Sequence, residues 1–226
     1  MFDWRTQTRI FLKEIALHSP WRRSAMPRYD YMFDPAQLCY ICHCIEQTRN
    51  VPGNIAEIGV ANGETSVFLN KYLTAQQIEK NYIAVDTFAG FMPEDVAVEV
   101  TQRGKRGVRF RGLGGFQINK KAWYDATMQW NHITRVRSIQ ADVNQFDLRT
   151  LGALSFCLLD VDLYRPMKKA LGDLYEGLSA GGIMVVDDCS LINPHWDGSL
   201  QAYQEFTRER GLTEEIVHGK LGVVRK

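Results

Sequence analysis

The sequence predicts an α/β fold, a doubly wound and mostly parallel sheet that ends in an antiparallel strand pair. Three observations carry this. Apolar runs of strand length alternate with amphipathic segments of helix length from residue 55 onward. Two of the runs, Leu154-Ser155-Phe156-Cys157-Leu158-Leu159-Asp160-Val161-Asp162 and Gly182-Ile183-Met184-Val185-Val186-Asp187-Asp188, are separated by one such segment. That crossover makes the two strands parallel and puts both carboxyl ends at the same sheet edge. Residues 214–218 and 222–225 then flank Gly219-Lys220 as a closing hairpin.

Residues 2–17 predict a short helix with Phe11, Leu12, Ile15 and Ala16 as its apolar stripe, flanked by Arg5, Arg9 and Lys13. A basic amphipathic helix can lie on a membrane. Asp3 and Glu14 dilute this one's charge, which favours docking onto the domain or a second subunit. Residues 18–33 hold two prolines and several aromatics and predict an irregular segment that could act as a lid. Residues 34–49 predict a helix, with Asp34-Pro35 as N-cap and first turn and Leu38, Ile41, Cys42 and Ile45 at helical spacing. Cys39-Tyr40-Ile41-Cys42-His43 matches a haem-attachment pattern, but thiols on an amphipathic helix more often pack as core. Residues 1–50 are therefore expected to form an N-terminal helical and lid segment, and residues 51–226 one domain.

A Pro52-Gly53 turn precedes a buried strand at 55–59, a helix at 64–73 and a second strand at 81–86 that ends in an acid. A flexible loop is expected at about 93–117. Its second half mixes Gly104, Gly107, Gly112, Gly114 and Gly115 with Arg103, Lys105, Arg106, Arg109 and Arg111. The loop lacks aromatics beyond Phe110, which favours a substrate cover over an RNA contact. A helix at 120–130 and a strand at 134–140 follow. The crossover helix is expected at 166–178, with Ala180-Gly181-Gly182 as its exit turn. A helix at 201–210 leads into the hairpin.

A chain of 226 residues fits one domain with a small appendage. Basic and acidic residues number 27 and 26, so nothing in the net charge of +1 calls for nucleic acid or an anionic membrane as a partner. No apolar run approaches the roughly 18 residues of a membrane-spanning helix. Met1-Phe2-Asp3-Trp4-Arg5 lacks the apolar stretch of a secretion signal. Cys39, Cys42, Cys44, Cys157 and Cys189 are an odd set, expected to stay reduced. A soluble cytoplasmic protein, assembled as a homo-oligomer, is expected.

Four carboxylates, Asp160, Asp162, Asp187 and Asp188, should converge where open α/β sheets bind ligands. Acids packed that closely repel unless a cation neutralises them, which points to a hard divalent metal. A second constellation is Glu57-Ile58-Gly59-Val60-Ala61-Asn62-Gly63-Glu64-Thr65-Ser66, on a strand-to-helix turn. A nicotinamide dinucleotide would want G-x-G-x-x-G for its pyrophosphate. The spacing here is G-x-x-x-G with an acid before the first glycine, which suits a cationic cofactor without phosphates. S-adenosylmethionine (SAM) is one, a sulfonium with an amino-acid tail. Asp86 is placed for ribose hydroxyls and Asp142 for an adenine amine.

With these pieces assembled, the sequence resembles the class I SAM-dependent methyltransferases. More narrowly, it resembles the macrocin/mycinamicin and novobiocin-type (TylF-like) sugar O-methyltransferases. The matching pieces are Glu57-Ile58-Gly59-Val60 with Gly63, Val85-Asp86-Thr87-Phe88-Ala89-Gly90-Phe91, Leu159-Asp160-Val161-Asp162-Leu163-Tyr164, and Gly181-Gly182 through Val186-Asp187-Asp188. The segment from Ala202 to Phe206 resembles the family's next helix. Coverage is about residues 50–210. The family often has Pro-Gly-Gly where this chain has Ala180-Gly181-Gly182, and the Arg/Gly run has no counterpart.

The resemblance implies a Rossmann-like seven-stranded sheet and transfer of a methyl group from SAM to a hydroxyl of a sugar or glycosylated small molecule. It implies SAM binding by Glu57, Gly59, Gly63, Ser66, Asp86, Asp142 and Asp160, and Mg²⁺ binding by Asp160, Asp187 and Asp188. Catechol O-methyltransferases have a base lysine three residues after the first metal acid. Leu163 stands there, so Asp162 is the expected base, as in novobiocin-type relatives, with His195 as the alternative. A phenol- or catechol-type enzyme, a metal-independent enzyme and a non-catalytic SAM-binding module are the rival readings.

Overall fold

A computed structural model describes residues 3–20, 29, 31–106, 119–193 and 197–226. The chain divides between Met32 and Phe33 into two compact units. The first holds α1 (Trp4–Leu17), capped by Asp3, whose carboxylate accepts the Thr6 N–H at 2.8 Å. No residue of α1 is buried, and Trp4, Ile10, Phe11, Leu12 and Ile15 are exposed.

The second unit opens with α2 (Pro35–Gln47). Asp34 and Gln37 form a reciprocal capping box, and Leu38, Ile41, Cys42, Cys44 and Ile45 turn inward. The sequence predicts this helix as part of the N-terminal segment. It belongs to the larger unit, where Gln37 Nε2 donates to the His218 carbonyl at 3.0 Å.

The sheet is built from β1 (Asn54–Ile58), β2 (Tyr82–Asp86), β3 (Val136–Gln140), β4 (Leu154–Leu159), β5 (Leu178–Val186), β6 (Ile216–Val217) and β7 (Leu221–Arg225). Its seven strands run in the order β3-β2-β1-β4-β5-β7-β6. The first five in this order are mutually parallel, and β7 pairs antiparallel with both β5 and β6. This is the doubly wound, seven-stranded sheet the sequence predicts, with its antiparallel closing pair.

The helices between strands are α3 (Glu64–Ala75), α4 (Pro93–Thr101), α5 (Lys121–Trp130), α6 (Tyr164–Gly177) and α7 (Asp197–Arg210). Met167, Ala170, Leu171 and Leu174 of α6 join Ala202, Tyr203 and Phe206 of α7 in one core with Leu159 and Val186 of the sheet. Tyr124 and Met128 of α5 pack with Val60, Ala84 and Phe88 in another. Every residue of β4 is buried, Ser155 included, which explains its almost wholly apolar sequence. Each of its large side chains contributes about 1.5–3 kcal/mol by leaving water. The strand order reverses between β1 and β4, so their carboxyl ends form the switch point at which such sheets bind ligands.

The structure corrects three boundaries. The expected loop at 93–117 starts as a helix, α4, with Pro93 in its first turn followed by Glu94 and Asp95. Its buried residues are acids, Asp95 and Glu99, so apolar periodicity could not reveal it. Residues 107–117 of that loop, with two of its four arginines and four of its five glycines, lie outside the described residues. The crossover helix starts at Tyr164 rather than 166. The expected exit turn Ala180-Gly181-Gly182 lies within β5, where Gly181 (φ +81°) donates its N–H to the Lys226 carbonyl at 2.6 Å. Among the described residues, no helix is long and apolar enough to cross a membrane.

Candidate active site

The site grows from the touching ends of β1 and β4. Asp160 donates its N–H to the Ile58 carbonyl at 2.8 Å, and Asp187 donates to Leu159 at 2.9 Å. These bonds set three strand ends side by side. Gly59 follows β1 with φ +84°, and a Cβ there would stand 1.7 Å from the Asp160 carbonyl oxygen. Gly63 (φ +92°) opens α3, and a Cβ there would meet the Tyr124 ring at 2.9 Å. The two glycines of the turn are thus required by protein neighbours.

Asp86 holds this turn from β2. Its Oδ2 accepts the N–H groups of Val60 (2.8 Å) and Ala61 (3.1 Å), and its Oδ1 accepts that of Phe88 (2.6 Å). Oδ2 is filled by its two donors, whereas Oδ1, from which the Thr87 hydroxyl stands 3.4 Å away with the Gly90 carbonyl as its nearer acceptor, is the oxygen left for a ligand hydroxyl. Asp142 follows β3, tied to Asp86 through the N–H of Ala141, which donates to the Asp86 carbonyl at 2.9 Å. Its Oδ1 accepts from the Asn144 backbone and side chain, and Asn144 also donates to Asp95. Burial pushes Asp95 up to about 6, opposed by the charge of Arg165.

Glu57 and Ser66 sit beneath the turn, 2% and 0% exposed. Glu57 Oε2 accepts the Ser66 hydroxyl and the Tyr82 hydroxyl, the latter at 2.6 Å. Burial pushes Glu57 up to about 7, against the pull of those two hydroxyls. One oxygen of Glu57 and the Ser66 hydroxyl are thus engaged with each other next to the turn, with Tyr82 on the same oxygen.

The acids gather at the carboxyl edge. One carboxylate oxygen from each of Asp160, Asp187 and Asp188 lies within 4.8 Å of the others. Asp187 and Asp188 are 2% and 8% exposed. Asp162 (φ +59°) and Asp188 (φ +57°) both take the left-handed backbone that side chains other than glycine rarely adopt. Burial, then the charge of Asp187, holds Asp160 well above the carboxylate range. Burial, then the charge of Asp188, does the same to Asp162. Burial raises Asp187 to about 6, with the Lys220 ammonium pulling it down. Lys220 Nζ lies 2.7 Å from Asp187 Oδ2. The other oxygen, Asp187 Oδ1, is buried and finds no hydrogen-bond partner among the described residues.

The structure thus brings together Gly59, Gly63, Asp86, Asp160, Asp162, Asp187 and Asp188. His195 lies outside the described residues. Three contributors escaped the sequence reading. Lys220 read only as a hairpin turn. Glu99 caps α6 through the Tyr164 N–H at 2.9 Å, and Ser199 donates to the Asp162 carbonyl at 3.1 Å. Nothing local in the sequence marks any of them.

Comparison with solved structures returns the same architecture. The O-methyltransferase NovP superposes with a TM-score of 0.70 at 19% identity, over 88% of this chain and 83% of that one. CalS11, a calicheamicin methyltransferase, gives 0.66 at 21% identity, over 100% and 94%. The apo structure of CalS11, a TDP-rhamnose 3'-O-methyltransferase, gives 0.59 at 21% identity, over 100% and 96%. The S-adenosylhomocysteine-bound PaMTH1 of Podospora anserina gives 0.55 at 15% identity, over 100% and 97%. These likenesses show the fold. No curated protein matches in sequence. The macrocin-O-methyltransferase (TylF) family model, however, matches residues 23–223, nearly the whole chain, and the protein therefore belongs to that family of SAM-dependent O-methyltransferases.

Proposed function

We propose that this enzyme is Mg²⁺-dependent and methylates a hydroxyl of a sugar or glycosylated small molecule. The observation that carries the metal is Asp187 Oδ1, a buried carboxylate oxygen with no partner among the described residues, on an acid that clusters with Asp160 and Asp188. An all-oxygen donor set of that kind fits a hard divalent ion. The sugar rests on the family and on the likeness to CalS11, a TDP-rhamnose 3'-O-methyltransferase.

Asp160, Asp187 and Asp188 would hold Mg²⁺, which supplies Lewis acidity and orientation to the acceptor oxygen. SAM supplies a methyl group on a sulfonium. Gly59 and Gly63 shape the turn that receives it, and Asp86 keeps acceptor capacity for ribose hydroxyls. Asp142 is assigned to the adenine amine. Glu57 and Ser66 act on the cofactor through the turn they support. The Asp162 carboxylate, on the turn leaving β4, takes the proton from the acceptor hydroxyl. Its left-handed backbone is held by Ser199, and the start of α6 just after it is held by Glu99. His195 is the alternative base.

The test is methyl transfer from labelled SAM to a panel of nucleotide sugars, glycosides and catechols, with Mg²⁺ or with EDTA. Turnover on a sugar hydroxyl that EDTA abolishes is expected. Asp187→Ala should remove the metal-dependent activity while SAM binding persists. Full activity of that variant in EDTA would sink the metal assignment, and turnover confined to catechols would sink the sugar.

A further inference from the structure

Lys220 sits in the turn between β6 and β7, far along the chain from the acids it meets. Its Nζ lies 2.7 Å from Asp187 Oδ2 and 3.7 Å from Asp188 Oδ1. It is anchored at both ends. Its carbonyl accepts the Cys189 N–H at 2.7 Å, directly after the acid pair. Its ammonium also stands 4.7 Å from the centre of the Phe33 ring, a cation–π distance. The side chain is 20% exposed, so its contact with Asp187 is shielded from water.

The two oxygens of Asp187 consequently differ. Oδ2 is engaged by the lysine, whereas Oδ1 is buried and unpartnered among the described residues. The ammonium thus occupies one oxygen of Asp187 and leaves the other for a second cation. Among the described residues, the same ammonium is the positive charge nearest to Asp187, whose neighbours Asp160, Asp162 and Asp188 are all acids.

We propose that Lys220 is a positioning residue: a built-in counter-cation that holds the acidic cluster together before a divalent ion arrives and presents Asp187 Oδ1 as the donor. This rests on the metal reading above. Lysine and metal would engage different oxygens of Asp187, so neither displaces the other. When the metal is present it neutralises the cluster as well, and the lysine then matters less for stability. A lysine that merely packed in the hairpin would matter equally in both states.

The experiment is thermal unfolding of the full chain in EDTA and in saturating Mg²⁺ or Mn²⁺, for the wild type, Lys220→Met, Asp187→Asn and the double variant. Lys220→Met is expected to melt several degrees lower than wild type in EDTA, with most of that deficit recovered by metal. In EDTA the double variant should melt higher than Lys220→Met, because removing the acid removes the charge left unpaired. That arm also covers a single variant too unstable to purify. An equal deficit with and without metal, or none in EDTA, would overturn the role of Lys220. A wild type whose melting does not respond to either metal would overturn the metal reading itself, and this role with it.

Discussion

Glu99 Oε1 accepts the backbone N–H of Tyr164 at 2.9 Å, so an acid from α4 caps α6 immediately after Asp162. Leu163, at the N-cap, has no side chain to do this. The other oxygen of Glu99 receives Arg103 Nε at 2.8 Å, and Arg103 reaches Asp197 at 2.6 Å. Glu99 is 3% exposed and Arg103 9%, so this pair is not a screened surface bridge. Gly198 completes the contact, because a Cβ there would stand 2.7 Å from Tyr164 N. Glu99→Gln keeps an acceptor for the cap and loses the ion pair. It should cost about 1–3 kcal/mol in denaturant unfolding and lower kcat more than it weakens SAM binding. An unchanged unfolding midpoint would show the clamp to be dispensable.

Asp162 has a sharper signature. Asp162→Asn preserves shape and removes the proton acceptor. Turnover should drop by about 10²–10⁴, the usual range for a general base, with SAM affinity within a few-fold of wild type. Parallel loss of both would assign Asp162 to the scaffold, and His195→Asn would then become the informative variant.

Gly59 links the cofactor turn to the acids. Gly59→Ala forces a Cβ into the Asp160 carbonyl, 1.7 Å away, on a backbone with φ +84°. The conformation alone costs an alanine about 1–2 kcal/mol, and the clash adds a displacement of β1 from β4. Loss of SAM binding and of metal-induced stabilisation together is the expected result, read by calorimetry and melting. Retention of either would show the two turns to be independent.

Glu57 predicts a pH dependence. Its folded-state value of about 7 is raised from 4.5 by burial. The unfolded chain therefore releases this proton first as pH rises, and stability falls between about pH 4.5 and 7. Below that window the penalty is absent. Glu57→Gln retains an oxygen for Ser66 and Tyr82 and has no charge to bury. It should melt above wild type at pH 8, with the advantage shrinking to nothing near pH 4.5. A pH-independent difference, accompanied by weaker SAM binding, would instead place Glu57 in direct contact with the cofactor.

The sequence by itself determined the alternation of strands and helices, the parallel β4–β5 crossover, the glycine turn and the acids at the strand ends. These are local patterns: an unbroken apolar run such as 156–159 marks a buried strand wherever it sits, and one helix-length segment between two strands leaves them parallel. Helix α4 escaped because its inward face carries Asp95 and Glu99, whose burial depends on Asn144, Arg165, Tyr164 and Arg103 elsewhere in the chain. The bonds that Glu57 Oε2 accepts from Ser66 and from Tyr82 on the neighbouring strand are likewise not legible in the sequence. Only the tertiary structure decided that Lys220 meets Asp187 and that Gly59 must yield space to Asp160. Both depend on which strand ends lie side by side, and that is settled by the order of seven strands across the whole sheet, not by any residue's neighbours in sequence.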